Sequence, residues 1–114
     1  MIGSEPMSGN AVVFCAAGSE AEASRIAGAL VERRLAACVN VVAGVHSTYR
    51  WEGTVRTDSE WLLIVKTRRE RFEEVRAAIR ELHSYEVPEI VMLDIAAGDP
   101  AYLAWIEANV EGSR

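Results

Sequence analysis

The segment LHSYEVPEIV, residues 82–91, gathers a histidine, a tyrosine and a glutamate within four positions, His83 to Glu86. An imidazole can ligate a soft or borderline metal, or it can cap the last carbonyls of a helix. The cluster therefore either does chemistry or turns a corner. The chain's two cysteines, Cys15 and Cys38, could supply thiolates, but they do not form the C-x-x-C pattern of a zinc or redox motif. Each lies in an apolar run, AVVFCA for Cys15 and ACVNVV for Cys38. In such runs cysteine commonly packs as a small hydrophobe.

The elements around these residues follow from periodicity. Residues 11–16, AVVFCA, read as a buried strand. Ser19 with Glu22 three residues later forms a capping-box pattern. Ile26, Ala27, Leu30 and Val31 then recur at helical spacing, with Glu22, Arg25, Glu32 and Arg33 facing away, which predicts a helix over 19–34. Residues 37–50 and 54–67 are rich in β-branched and aromatic types and flank the turn WEG. They predict a long hairpin with a bulge or bend at Gly44. Thr67 with Glu70 repeats the capping pattern, and Phe72, Val75, Ile79 and Leu82 place a second helix at about 68–82. Pro88 stops helix continuation, 90–95 reads as a last strand, and Asp99-Pro100 starts a short helix with Leu103, Ile106 and Val110 on one face.

The order β-α-β-β-α-β predicts an α+β, ferredoxin-like antiparallel sheet with two helices on one face, followed by the short C-terminal helix. In that topology the first strand lies between the third and fourth, and the second is an edge. Cys15 and Cys38 are then not cross-strand neighbours, and no disulfide joins them.

The 114 residues suit one domain, expected over 11–112, with 1–10 as a loose tail that has neither a basic nor an apolar signal region. Half the residues are hydrophobic, a quarter are charged and the net charge is −5. That balance disfavours a phosphate-tracking nucleic-acid partner, and no apolar run reaches membrane-span length. A cytoplasmic protein with reduced thiols is expected.

The hairpin also implies a partner. A 16-residue helix spans about 24 Å, whereas each 14-residue arm spans about 46 Å. The outer part, with Val45, Tyr49, Trp51 and Val55, is left uncovered. Either copies of the chain assemble through it, or the hairpin bends at Gly44 and folds back onto its own domain.

LAACVNVV at 35–42, YRWEG at 49–53, LHSYEVPEIV at 82–91 and DPAYLAWI at 99–106, in this order, strongly resemble the CutA divalent-cation tolerance family. The resemblance runs from about residue 11 to 110. It implies a homotrimer built through the long strands, a role in the response to metal ions, and no enzymatic activity. It also implies copper or another divalent metal as ligand, with Cys15 and His83 as the matching positions. Thiolate and imidazole suit copper and zinc. Two ligands leave the shell incomplete without water, Glu86 or a neighbouring subunit. Some family members carry two adjacent histidines and a following proline where this chain has Leu82-His83-Ser84. The fold and trimer also resemble PII signalling proteins. That likeness implies a cleft between subunits for a small metabolite or nucleotide, lined by Trp51, Glu60, Lys66, Tyr85 and Glu86 together with His83.

Rival folds with the same strand order fit less well. AVVFCA and EWLLIVKT lack the aromatic pattern of an RNA-recognition domain. An acylphosphatase-like loop at 17–20, AGSE, has no arginine before Arg25.

Overall fold

A computed structural model describes residues 8–111. Strand β1 (Asn10–Ala17) leads into helix α1 (Glu20–Glu32). Strands β2 (Cys38–Trp51) and β3 (Thr54–Arg68) form the hairpin. A 3-10 turn at Arg69–Arg71 precedes α2 (Phe72–Leu82), and β4 (Val91–Asp94) and α3 (Pro100–Asn109) close the order. The sheet runs β2-β3-β1-β4, antiparallel throughout, as the ferredoxin-like reading requires.

Strand alternation puts one set of side chains under the helices. Val13, Cys15 and Ala17 of β1 pair with Val65, Leu63 and Trp61 of β3 on that face. They pack with Ile26 and Leu30 of α1 and Val75 and Ile79 of α2 as one core. Cys38 lies on β2, two strands from β1, opposite Lys66, and both thiols are free. Of the predicted C-terminal stripe, Ile106 on α3 and its C-cap Val110 are buried, and Leu103 is partly buried.

The hairpin closes at Glu52-Gly53, where both residues have positive φ (50° and 80°). Two consecutive left-handed residues match the right-handed twist of the flanking strands. Gly44, at φ 81°, sits in a bulge between Val42 and Val45. Two β2 residues there oppose one on β3, so the facing parity of β2 changes. Upstream, Cys38, Asn40 and Val42 share a face with Lys66, Ile64 and Leu62. Beyond the bulge that same face is taken by Val45, Ser47, Tyr49 and Trp51.

Two sequence expectations are corrected. Thr67 is not a helix cap: it is a fully buried β3 residue whose hydroxyl donates to the Leu35 carbonyl, 2.7 Å away. Ser19 does cap α1, accepting from the Glu22 N–H at 3.1 Å, but Glu22 faces inward, 6% exposed, and its carboxylate serves Ser84. The expected tail over 1–10 falls largely outside the described residues. Of its described part, Ser8 bonds Ile95 through its hydroxyl, the Gly9 carbonyl accepts from the Arg69 N–H, and Asn10 begins β1.

Candidate functional site

His83 ends α2 as its C-cap, its N–H donating to the Ile79 carbonyl at 2.8 Å. Its side chain is fully buried. Nε2 lies 2.7 Å from the Ala16 carbonyl on β1. A carbonyl only accepts, so Nε2 carries the proton. Nδ1 then accepts from the Tyr85 N–H at 3.1 Å. Both ring nitrogens are thus engaged, and the ring ties the end of α2 to the end of β1. The expectation that His83 faces a cleft is corrected: its ring points into the interior.

Glu22 secures the next residue. Its Oε2 accepts from the Ser84 N–H at 2.5 Å, and its Oε1 accepts from the Ser84 hydroxyl at 2.9 Å. A charged acceptor strengthens both bonds. The proline common in the resembling family has no N–H to donate here.

Cys15 is fully buried. Burial first, then the charges of Glu89, Glu22 and Glu60, push its thiol up to about 12. The group therefore stays protonated near neutral pH, whereas a soft metal requires the thiolate. Among the described residues, no three His, Cys, Asp or Glu side chains converge into a metal-holding group. As arranged, Cys15 and His83 do not fit a metal centre: the thiol holds its proton and the imidazole has no free lone pair.

Directly after His83 the chain turns outward. Tyr85 stacks obliquely on His83, with ring centroids 4.6 Å apart. Its hydroxyl donates to Glu60 Oε2 on β3 at 2.7 Å. Burial first, then this bond, raises the phenol above its ordinary range, so it acts as a donor. The ring passes close over the β1–α1 turn: a Cβ on Gly18 would lie 2.9 Å from the Tyr85 hydroxyl and would displace it.

Tyr85 forms one wall of a cleft of about 380 Å³. The hairpin contributes Ser47, Tyr49 and Trp51 from β2, with Arg56 and Glu60 from β3. The loop adds Glu86, Val87 and Glu89, and Ala16 lies at the end of β1. Four of the expected cleft residues thus come together: Trp51, Glu60, Tyr85 and Glu86. Lys66 does not join them. It lies six residues beyond Glu60 on the same strand, about 20 Å away by strand rise. There it bonds Asn40 and stands over the Tyr102 ring. Ser47, Tyr49 and Arg56 were not anticipated. The signal for them was period two back from Trp51 and the cross-strand partner of Tyr49, both readable once the bulge is placed. Tyr49 also donates to Asp58, and that bond raises its phenol.

The chain matches the family model described as CutA1 divalent ion tolerance protein over residues 11–109. It is 51% identical over 98 residues to the divalent-cation tolerance protein CutA of Thermus thermophilus, covering 86% of this chain and 95% of that protein. It is 39% identical over 102 residues to the chloroplastic protein CutA 1 of Oryza sativa, covering 90% of this chain but only 58% of that longer protein. Among solved structures, the Thermus thermophilus protein superposes with a TM-score of 0.87 at 49% identity, covering 90% of this chain and 99% of that one. The Oryza sativa CutA1 crystal structure gives 0.89 at 38%, covering 91% and 95%. With one family model spanning nearly the whole described chain, the chain belongs to the CutA1 divalent ion tolerance family.

Proposed function

We propose that this protein serves divalent-cation tolerance as a homotrimeric binding protein of the cytoplasm, without catalytic turnover. Its ligand site is the cleft between the outer hairpin and residues 85–89, so that it works in the manner of a PII-like sensor. The observation that carries this reading is the Tyr85–Glu60 bond, which joins the loop to the hairpin across a cleft of small-molecule size. The trimer is supported by apolar side chains left open on the single chain, among them Val55 at 58% and Leu93 at 49% exposure.

The reading in which Cys15 and His83 bind copper or another divalent metal requires two losses. The thiol must give up its proton in a buried site, and the imidazole must release Ala16 or Tyr85. Titration calorimetry of the metal-stripped protein with Cu(I) and Zn(II) tests the choice. Cys15→Ala and His83→Ala should leave the metal isotherms unchanged while lowering thermal stability. Stoichiometric metal binding that disappears in either variant would move the ligand site to these residues.

A further inference from the structure

The chemistry of the cleft lining goes further than its location. Three glutamates, Glu60, Glu86 and Glu89, line the cleft with a single arginine, Arg56. Glu86 and Glu89 are exposed, and neither takes part in an ion pair among the described residues. A phosphate-bearing ligand would meet this surplus of like charge. A bare metal ion would find no set of three donors close enough to hold it. Tyr49, Trp51 and Tyr85 supply aromatic surface beside the carboxylates. Aromatic faces attract cations, and carboxylates accept strong hydrogen bonds from ammonium groups. The same carboxylates act on Cys15, whose ionisation is opposed first by burial and then by Glu89, Glu22 and Glu60.

We infer that this cleft binds an organic ammonium ion, a primary amine or short diamine, held between the Tyr49, Trp51 and Tyr85 rings and the carboxylates of Glu60 and Glu86. The inference rests on the cleft being the ligand site, as proposed above, and specifies what occupies it. Two ammonium groups several carbons apart on one diamine can reach separated carboxylates that a single metal ion cannot bridge. Glu60 is the inner anchor, since Tyr85 already orients one of its oxygens.

Titration calorimetry of the whole protein with 1,5-diaminopentane tests this, with 1,5-pentanediol and ATP as comparison ligands. The diamine should bind saturably with one site per chain, and the uncharged diol should not bind. Glu60→Gln should weaken the diamine about tenfold, the loss expected for a charge-assisted contact. Trp51→Ala should weaken it about fivefold, within the range for one cation–aromatic contact. Glu107→Gln, on α3 and not among the cleft residues, removes the same unit of charge and should leave affinity unchanged. Equal loss in Glu60→Gln and Glu107→Gln would reduce the effect to non-specific attraction by an acidic protein and overturn the inference. Saturable ATP binding weakened by Trp51→Ala, without diamine binding, would overturn the ammonium inference while leaving the cleft as ligand site. Failure of every ligand, together with metal binding lost in Cys15→Ala, would overturn both.

Discussion

At the scale of single residues, His83, Ser84 and Tyr85 divide their work by direction. His83 points in and joins α2 to β1, Ser84 points sideways to Glu22, and Tyr85 points out to Glu60. The segment both turns the corner and shapes a cleft, but it reaches the cleft through Tyr85, Glu86, Val87 and Glu89 rather than through His83. Ser84 gives this loop a tie that a proline could not. Ser84→Ala should cost about 1 kcal/mol in chemical denaturation, and Ser84→Pro more, about 2–3 kcal/mol, because the N–H bond to buried Glu22 is lost as well. Equal stability of the two variants would show that the backbone bond contributes nothing. Cys15 gives a second prediction. With a thiol raised from 9.0 to about 12 and no exposure, it should resist iodoacetamide in the native state near pH 8 and react only on unfolding, as read by mass spectrometry. The sign of the linkage is fixed as well. The folded state holds the proton more tightly than the unfolded chain, so this contribution is complete below pH 9 and is lost as pH rises towards 12. Cys15→Ala should therefore flatten the alkaline fall in stability over that window.

At the scale of elements, the β2 bulge decides what the hairpin presents. A strict alternation would place Tyr49 and Trp51 on the face opposite Glu60, and the bulge at Gly44 moves them to its side. Gly44→Val forces a β-branched residue to φ 81° and should destabilise the hairpin by about 1–3 kcal/mol. Hydrogen exchange should quicken at 45–51 while β1 keeps its protection. Unchanged exchange at 45–51 would show that the bulge does not need glycine. Periodicity made α1, α2 and the strand order legible, because buried stripes such as Val75 and Ile79 obey spacing alone. The Thr67 cap was misread because its hydroxyl instead serves the partly buried Leu35 carbonyl, a tertiary demand that no local pattern carries. Lys66 stands apart from the single-chain cleft for a related reason. It has the right facing parity, but the length of β3 puts it a strand's reach away. The inward aim of His83 depends on β1 ending beside α2, which neither segment announces by itself.

At the scale of the whole molecule, length is the dominant fact. The chain extends 44 × 35 × 24 Å, while the 13-residue α1 covers only about 20 Å. The long β2 forms one sheet edge, and the four-residue β4 forms the other. A 14-residue open edge is a template for strand pairing. On β4, Val91 and Leu93 stand 48% and 49% exposed. On α3, Tyr102 and Trp105 stack with centroids 5.6 Å apart and remain more than 40% exposed. Among the described residues no helix is long and apolar enough to cross a membrane, so a lipid-spanning helix does not account for this apolar surface. A second and third copy of the chain would remove it from water, each supplying an open edge and an apolar patch to the next, and a rotational arrangement closes without leaving a free end. Light scattering should report a trimer at micromolar concentration, and its mass should persist in molar salt, because apolar contact and strand pairing are not screened as exposed ion pairs are. Val91→Lys with Leu93→Lys places two charges in that contact and should yield monomers that still fold, since both side chains lie outside the buried core. A trimer of unchanged size and thermal stability in this double variant would show that β4 takes no part in the assembly.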